Sequence, residues 1–279
     1  MRIVEAARIT DAVARLCVEA NRKLPGDVRD GVRAALQRES WPAARNTLEK
    51  LIANFELAEE RRLPICQDTG MACVFLKIGR EVHIRGDIEA AVNEGVRQGY
   101  REGFLRCSVV ADPLNRVNTG DNTPAMLYLD FVEGDLISVT VAPKGFGSEN
   151  MGRIAMLSPS EGAEGVIDFV TRTVEAAGPN PCPPVVVGVG LGGVFDKAAL
   201  LAKKALLRPL GRRHPDPYYG ELEAEMEKRI NALGIGPQGF GGAVTALAVM
   251  VETMPTHIAG LPCAVNLNCH AARHAEEHI

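Results

Sequence analysis

Apolar runs of strand length alternate with amphipathic helical segments over most of this sequence. Met71–Ile78, Pro183–Gly190 and Thr245–Val251 are apolar runs of strand length, whereas Ile88–Tyr100 shows the three-to-four-residue spacing of a helix. This alternation predicts a mixed α/β fold. The longest apolar run is far shorter than the roughly 18 residues that cross a bilayer, so no membrane association is expected.

The first 62 residues carry only helical periodicity. Val4–Ala20 and Trp41–Arg61 both place apolar residues on one helix face, and Pro25-Gly26 separates them. We expect an N-terminal helical region, residues 1–62, packed on a mixed α/β domain, residues 63–279, or continuous with it in one domain.

Local signals predict several further elements. Met126–Val132 and Leu136–Val141 flank an acidic glycine turn and are predicted to be paired strands. Ser158, followed by proline and then by a glutamate three residues on, forms a capping box that predicts a helix ending at Gly178. Phe195–Leu207 is predicted to be helical.

The charge balance argues against a nucleic-acid partner. Lysine and arginine total 31 against 35 acidic residues, so no basic surplus exists to neutralise a phosphate backbone. The N-terminal residues include Arg2, Glu5 and Arg8, and no apolar signal-peptide core follows them. We therefore expect a cytoplasmic protein.

Seven cysteines divide by local context. Four lie in apolar surroundings and are predicted to be buried hydrophobic side chains: Cys17, Cys73, Cys107 and Cys263. Three lie in polar or proline-flanked turns or at a possible strand end: Cys66, Cys182 and Cys269. Metal ligands favour turns and element ends, so these three are either metal ligands or incidental loop cysteines.

The spacing of the three loop cysteines bears on which metal they could bind. They lie 116 and 87 residues apart, and the sequence contains no Cys-x-x-Cys pair of the kind that zinc sites use. Three scattered thiolates suit a cubane iron–sulfur cluster with one iron left without a protein ligand. Such an iron is a Lewis acid rather than an electron carrier.

Three other features have both a functional and a structural interpretation. Arg106, at the mouth of an apolar segment, could bind a carboxylate or form a structural salt bridge. The glycine-containing segment Lys144–Asn150 could bind an anion through its amides or be a solvated loop. His257 could be a core histidine or could orient a metal-bound hydroxyl.

The segment Gly188–Gly193 contains the G-x-G-x-x-G spacing of a dinucleotide site. A dinucleotide site also needs an acidic residue at the end of a second strand about 20 residues on, where this chain has the helical run Lys203–Arg208. A tight turn, beside a ligand or not, is therefore favoured. A nicotinamide-dependent oxidoreductase remains an alternative.

Four motifs in one order resemble a known family. They are Cys66-Gln67-Asp68-Thr69-Gly70, the Lys144–Asn150 loop, the Gly188–Gly193 turn and Asn266-Leu267-Asn268-Cys269-His270. Over nearly the whole chain the sequence resembles the alpha subunit of class I, iron–sulfur fumarate hydratases and L-tartrate dehydratases. The resemblance implies a [4Fe–4S] cluster held by Cys66, Cys182 and Cys269.

The resemblance also implies roles for individual residues. Gln67, Arg106 and Gly147 match substrate-binding positions, and Asp68 and His257 match positions that contact or orient the reacting hydroxyl. The family's catalytic base lies in a further C-terminal half or in a separate beta subunit. Because this chain ends at residue 279, it resembles the alpha subunit of a two-subunit enzyme. A heterotetramer of two alpha and two beta chains is the expected assembly.

The resulting hypothesis is the reversible hydration of fumarate to malate, with the open cluster iron as Lewis acid and the base on the beta subunit. An L-tartrate dehydratase alpha subunit is the first alternative. A non-catalytic cluster or zinc protein that acts as scaffold or sensor is another. A small dicarboxylate is the expected substrate in either hydro-lyase.

Overall fold

The chain folds into two compact units, and the computed structural model describes residues 2–279. Unit 1 consists of the chain up to Pro25 with Phe55–Gly145 and Arg273–Ile279. Unit 2 consists of Gly26–Asn54 and Phe146–Ala272. The division therefore does not fall at residue 63, because the N-terminal helices are shared between the two units.

The described residues form eight α-helices and ten β-strands. The helices are α1 (Ala6–Arg22), α2 (Gly26–Arg38), α3 (Pro42–Arg61), α4 (Ile88–Glu102), α5 (Phe146–Glu149), α6 (Gly162–Ala177), α7 (Phe195–Ala205) and α8 (Pro217–Ala232). The strands are β1 (Arg2–Glu5), β2 (Met71–Gly79), β3 (Val82–Arg85), β4 (Met126–Val132), β5 (Ile137–Lys144), β6 (Arg153–Leu157), β7 (Val185–Gly193), β8 (Ala246–Thr256), β9 (Leu261–Asn268) and β10 (Ala275–His278). A mixed α/β fold, predicted from the sequence, is confirmed.

Unit 1 is built on a four-stranded sheet in the order β10-β5-β2-β4, with a separate parallel pair of β1 and β3. The strands β4 and β5 were predicted to pair with each other, and this pairing is wrong. β2 lies between them, parallel to β4 and antiparallel to β5. The apolar run of β2 is buried along most of its length, which favours a central position in the sheet.

Two amphipathic helices cover the sheet of unit 1. The helix α1 buries Ile9, Val13 and Leu16 at helical spacing, and α4 adds Val92 and Val96 to the same core. Asp87 caps α4 by accepting a hydrogen bond from the backbone N–H of residue 90, at 3.0 Å. The helix predicted over residues 88–100 is confirmed.

Unit 2 contains a sheet in the order β6-β9-β7-β8, in which β7 is parallel to β8 and antiparallel to β9. Alternate side chains of β7 enter a core shared with α6 and α8. The intervening Gly188 and Gly190 face α7, where an added Cβ would lie 2.1 Å from the Ala202 carbonyl oxygen and 2.0 Å from that of Ala198. These two glycines therefore let a helix pack closely on a strand.

This arrangement corrects the interpretation of Gly188–Gly193 as a turn. Its first two glycines lie inside β7, and only Gly192 and Gly193, with φ of +88° and +64°, turn the chain towards α7. The capping box at Ser158 is present, and α6 ends before Gly178 at φ +53°, as the sequence predicts. Among residues 2–279, no helix combines the length and hydropathy of a membrane span.

Candidate cluster and substrate site

Buried cysteines are separated from accessible ones by the fold. Cys17 in α1, Cys73 in β2 and Cys263 in β9 are buried, as predicted. Desolvation raises the pKa of Cys17 and Cys263 to about 12, so both stay protonated at neutral pH. A protonated, buried thiol is not available as a metal ligand.

Cys107 is the exception among the four cysteines predicted to be buried. It is half-buried in an irregular segment after α4 instead of starting a strand. Partial desolvation, with a smaller contribution from the negative charge of Asp121, raises the pKa of its thiol. Cys107 is thus more accessible than its apolar neighbours in sequence predict, although it stays harder to ionise than an ordinary thiol.

The three loop cysteines are all accessible. Cys66 and Cys269 are half-buried and Cys182 is exposed. All seven cysteines lie in the part of the chain that the structure describes, and none of them forms a disulfide. The donor chemistry needed for a thiolate-bound metal centre is therefore present at the three positions that sequence context selects.

In unit 1, Cys66 lies in a tight loop before β2. Its thiol donates a 3.3 Å hydrogen bond to Oε1 of Gln67. Oδ1 of Asp68 accepts a 3.0 Å bond from the Gly70 N–H, which closes a turn within the loop. The guanidinium of Arg273 donates to the Asp68 backbone carbonyl. The loop therefore has a defined conformation that presents Gln67 and Asp68 together.

A hydrogen bond joins the backbone of Arg106 to this loop. The Thr69 hydroxyl donates to the Arg106 carbonyl oxygen at 3.0 Å. The Arg106 side chain is exposed and makes no ion pair with any residue between positions 2 and 279. The salt-bridge interpretation of Arg106 therefore finds no support, and its guanidinium remains open to an external carboxylate.

Asn122 connects the segment carrying Arg106 to the Cys66 loop. It is fully buried; its side chain accepts a 2.7 Å bond from the Ser108 N–H and donates a 3.1 Å bond to the Gly70 carbonyl. The Tyr100 hydroxyl lies 2.9 Å from the same carbonyl oxygen and 2.7 Å from that of Thr69. These contacts fix Arg106 and Asp68 on one framework within unit 1.

The charge beside Asn122 anchors the same segment. The Asp121 carboxylate accepts a hydrogen bond from the Thr123 hydroxyl at 2.7 Å and one from Arg97 at 2.9 Å. The hydrogen bond from the Thr123 hydroxyl is the main cause that lowers the pKa of Asp121 to about 2; the Thr123 backbone N–H and Arg97 add to it, and desolvation opposes them. Asp121 is therefore ionised throughout the neutral range and holds the segment to α4.

The segment Lys144–Asn150 is not an open loop. Lys144 ends β5 and is buried, and its backbone passes so close to Gly70 that a Cβ there would lie 2.7 Å from the Lys144 carbonyl carbon. Gly70 also has φ of +73°, which only glycine adopts readily. From Phe146 the chain forms the short helix α5, in unit 2, so the solvated-loop interpretation is wrong.

In unit 2, Cys182 and Cys269 are brought together. Cys182 precedes β7 and Cys269 follows β9, and the antiparallel pairing of these strands places both at one edge of the sheet. The backbone N–H of His270 donates to the Cys182 carbonyl oxygen at 3.2 Å. The two predicted ligands, 87 residues apart in sequence, are thus neighbours in the fold.

Gln238 supports the conformation of the Cys182 segment. Its backbone N–H and its side-chain amide both donate to the Pro183 carbonyl oxygen, at 2.7 and 2.9 Å. The same amide nitrogen lies 3.1 Å from Nδ1 of His270. Sequence reasoning missed Gln238, although it lies within the glycine- and proline-rich run 234–242, which signals a constrained loop.

Gly147, in α5, lies beside Cys182. A Cβ at Gly147 would be 3.7 Å from the Asn180 carbonyl oxygen, and the Cys182 thiol lies 3.9 Å from that same oxygen. Unit 2 therefore places the glycine predicted to contact substrate next to a predicted cluster ligand.

His257 does not join Cys182 and Cys269. It is exposed in the turn after β8, where its Nδ1 accepts a 3.2 Å bond from the Ala259 N–H. β8 runs parallel to β7 and ends beside Gly193, whereas Cys182 precedes the first residue of β7. The nine-residue length of β7 separates the two positions by about 26 Å. His257 is also not the core histidine that its apolar neighbours suggest.

No group of three or more His, Cys, Asp or Glu side chains within residues 2–279 is arranged to hold a single metal ion. A cubane cluster places a different demand on the chain, because each thiolate binds a different iron and the sulfur atoms do not converge on one point. The side chains at the three accessible positions are thiols, the donor type that such a cluster requires.

Comparison with known proteins identifies the family. The family model described as fumarate hydratase (Fumerase) matches residues 10–278. The chain belongs to the fumarate hydratase family. It is therefore an enzyme of the hydro-lyase class, as the sequence predicts, and the nicotinamide-dependent alternative loses its basis.

Relatives in this family cover nearly the whole chain. A Methanocaldococcus jannaschii protein named putative L(+)-tartrate dehydratase subunit alpha is 44% identical, over 98% of this chain and 98% of its own length. The L(+)-tartrate dehydratase subunit alpha of Escherichia coli strain UTI89 is 34% identical, over 95% of this chain and 89% of its own. The K12 strain's protein of the same name is 33% identical.

Proposed function

We propose that this chain is the alpha subunit of an iron–sulfur hydro-lyase that reversibly hydrates fumarate to malate. The observation that carries the proposal is the separation of the cysteines, because accessible thiols occur where the family resemblance requires ligands: at Cys66, Cys182 and Cys269. In this proposal these three hold a [4Fe–4S] cluster. The buried thiols of Cys17 and Cys263, with pKa values near 12, take no part.

Two of the three proposed ligands are neighbours within unit 2. Cys182 and Cys269 lie close to each other through the hydrogen bond from the His270 N–H to the Cys182 carbonyl. The assignment of Cys66, in unit 1, to the same cluster rests on the family resemblance. When bound, the cluster supplies a Lewis-acidic iron without a protein ligand.

Arg106 is the proposed clamp for one substrate carboxylate. Its guanidinium is exposed and without an ion-pair partner in the described chain, and its backbone is tied to the Cys66 loop by Thr69. An arginine can hold a carboxylate by two parallel hydrogen bonds and so fix its orientation. Gln67 and the backbone of Gly147 are the further proposed substrate contacts.

Asp68 is the proposed partner of the reacting hydroxyl. Its Oδ1 is engaged by the Gly70 N–H, and Oδ2 approaches within 3.1 Å of the position that a Cβ on Gly145 would occupy. A side chain at residue 145 would therefore crowd the carboxylate. Asp68 would accept a hydrogen bond from the malate hydroxyl and help to orient its proton.

For His257 the proposed role requires a second copy of the chain. The length of β7 separates its turn from Cys182, so His257 would reach substrate at this cluster only as a residue of a second copy of the chain. Its imidazole would then orient the same hydroxyl as Asp68 does.

A beta subunit completes the proposed enzyme. Relatives of this chain are named subunit alpha, and we assign to the beta subunit the base that takes the carbon-bound proton during dehydration. Two alpha and two beta chains form the proposed assembly. A cytoplasmic location is part of the proposal, because that compartment keeps cysteines reduced and none of the seven described cysteines forms a disulfide.

L(+)-tartrate is the second candidate substrate, and the names of the relatives favour it. Tartrate and malate are both four-carbon dicarboxylates with a hydroxyl on the carbon next to a carboxylate. The clamp and the hydroxyl partner proposed here would therefore serve either. The distinction between the two substrates must come from measured turnover.

The test uses the alpha chain co-expressed with its beta subunit, purified without oxygen and assayed with fumarate and with L(+)-tartrate. We expect turnover of fumarate, reduced roughly 30-fold or more in kcat/KM by Arg106→Ala. Arg116→Ala, which removes an exposed arginine ten residues further on, is the control and should have no effect. Turnover of L(+)-tartrate without turnover of fumarate would make tartrate the substrate. An Arg106→Ala enzyme with wild-type kcat/KM would refute the role of Arg106 in binding a substrate carboxylate.

A further inference from the structure

Glu149, the last residue of α5, has a carboxylate that is held on both oxygens. Oε1 lies 2.7 Å from Nζ of Lys203, and Oε2 accepts a 2.8 Å hydrogen bond from the Asn266 side-chain amide. The side chains of Glu149 and Lys203 are only 28% and 16% exposed. This contact is one of the better-shielded ion pairs in unit 2 and therefore suffers less solvent screening than a surface pair.

The three residues come from three elements of unit 2. Lys203 belongs to α7, and Asn266 lies in β9 three residues before Cys269. Glu149 closes the single turn of α5 that contains Gly147, the glycine beside the Asn180 carbonyl and the Cys182 thiol. Glu149 thus connects the segment proposed to touch substrate to the strand that ends at a proposed cluster ligand.

The helix α5 consists of a single turn. Its four residues close with the Asn150 N–H bonding the Phe146 carbonyl at 3.0 Å, and the Gly152 N–H then bonds the Glu149 carbonyl at 3.0 Å. A helix of one turn has almost no stability of its own, so its position depends on tertiary contacts. The carboxylate of Glu149 supplies two such contacts at once.

We infer that Glu149, held by Lys203 and Asn266, is a positioning residue that sets where the Gly147 backbone stands relative to Cys182. Glu149 does not touch substrate. It fixes α5, and a correctly placed Gly147 backbone then contributes to binding of the dicarboxylate. The inference rests on the function proposed above and extends it to residues that the family resemblance did not assign.

An ion pair can also be purely structural, and unit 2 offers a matched pair for comparison. Arg213 and Glu227 are likewise 2.7 Å apart, and their side chains are 45% and 18% exposed, so this ion pair matches in distance and in the burial of its glutamate. That pair joins the loop before α8 to α8 itself, away from Gly147 and both cysteines of unit 2. Its loss should report the effect of removing a comparable ion pair without moving α5.

The experiment compares Glu149→Gln, Lys203→Met and the double variant with Glu227→Gln, all as alpha–beta enzyme. An amide offers one acceptor oxygen where the carboxylate offers two, and it carries no charge, so Glu149→Gln removes the ion pair with Lys203. We expect KM for the turned-over substrate to rise about tenfold with kcat within about twofold. The double variant should be no worse than Glu149→Gln alone, because the glutamate variant already removes the ion pair with Lys203.

Iron content per chain and melting temperature are measured beside the kinetics. Both should match those of Glu227→Gln, whose KM should equal that of the wild type. An unchanged KM in Glu149→Gln, or a KM rise shared by Glu227→Gln, would overturn the inference. So would a parallel fall of kcat and iron content. A wild-type enzyme inactive on fumarate and tartrate would overturn the proposed function itself, whereas an active wild type with an indifferent Glu149 overturns the positioning role alone.

Discussion

Replacing Asn122 by alanine tests whether the two parts of the unit 1 site share one framework. Asn122 is fully buried, with its side chain bonded to the Ser108 N–H at 2.7 Å and to the Gly70 carbonyl at 3.1 Å. In the alanine variant the Ser108 N–H loses its partner, whereas the Gly70 carbonyl keeps the Tyr100 hydroxyl. The main cost is therefore one unsatisfied donor.

The magnitude follows from two contributions. The Ser108 N–H is only part-buried, so losing its partner costs about 1 kcal/mol, the lower end of the range for an unsatisfied donor. Asn122 also has φ of +61°, where alanine costs roughly 1 kcal/mol more than asparagine or glycine. The sum is about 2 kcal/mol, which for a chain of this size corresponds to a fall in melting temperature of roughly 4–8 °C. Asn122→Gly separates the two contributions, because glycine accepts this φ without strain.

Asn118 provides the matched control. Like Asn122, its side chain makes one hydrogen bond as donor and one as acceptor. The Asn118 amide donates to the Cys107 carbonyl at 3.1 Å, and its oxygen accepts from the Gly120 N–H at 2.7 Å. Unlike Asn122, it is exposed. Water can replace both partners, so Asn118→Ala should cost less than about 1 kcal/mol. Thermal melts of both variants, with KM measured in the assembled enzyme, provide the test. Equal melting temperatures for the two variants, or an unchanged KM in Asn122→Ala, would refute the shared framework.

Three further predictions concern packing and thiol chemistry. Gly190→Ala should destabilise the protein by on the order of 3 kcal/mol or prevent folding, because the new Cβ would lie 2.0 Å from the Ala198 carbonyl oxygen. Gly26→Ala is the control, because a Cβ at Gly26 meets no atom within 4 Å. Urea unfolding should show a change of less than about 1 kcal/mol for this control. Iodoacetamide at pH 8, followed by mass spectrometry, should label exposed Cys182 in the folded apoprotein but label Cys17 and Cys263 only after unfolding. Early labelling of either buried thiol would contradict the fold. The thiols of Cys17 and Cys263 have a pKa of about 12 in the folded protein but ionise near pH 9 in the unfolded chain. The free energy of unfolding should therefore fall as the pH rises above about 9. An increase in this free energy over that range would contradict the burial of the two thiols.

Elements with a strong local pattern were predictable from the sequence. The helix α4 and the strand β2 have clear periodicity or a long apolar run. The capping box at Ser158 correctly predicts a helical turn, which is the 3-10 helix Pro159–Glu161 directly before α6. The helix α2 was missed because it is polar and begins directly at the Pro25-Gly26 break. The four-residue strand β10 is too short to produce a periodic signal.

Pairing order was not predictable for a different reason. β4 and β5 are adjacent in sequence with a turn between them, which favours a hairpin. Their separation by β2 depends on the burial of β2, a property of the assembled sheet. The role of the glycines in β7 was also not predictable from the sequence. Only the packing of α7 against β7 shows that a side chain would not fit at these positions.

The candidate site divides in the same way. The accessibility of Cys66, Cys182 and Cys269 was predictable, because their neighbours in sequence are polar residues or prolines that favour turns and element ends. The residues that support them were not, since Gln238 acts on His270 from 32 positions away and Asn122 acts on Gly70 from 52. Such contacts leave no local pattern in the sequence.

The central claim is that three accessible cysteines hold one iron–sulfur cluster. The most direct measurement is anaerobic reconstitution of the chain with its beta subunit, with iron and sulfide counted for wild type, Cys182→Ser and Cys107→Ser. Cys107 is the control because it is accessible but unassigned. The account predicts about four of each per alpha chain in wild type and in Cys107→Ser, and a sharp loss in Cys182→Ser. Full iron and sulfide in Cys182→Ser, or none in the wild type, would contradict it.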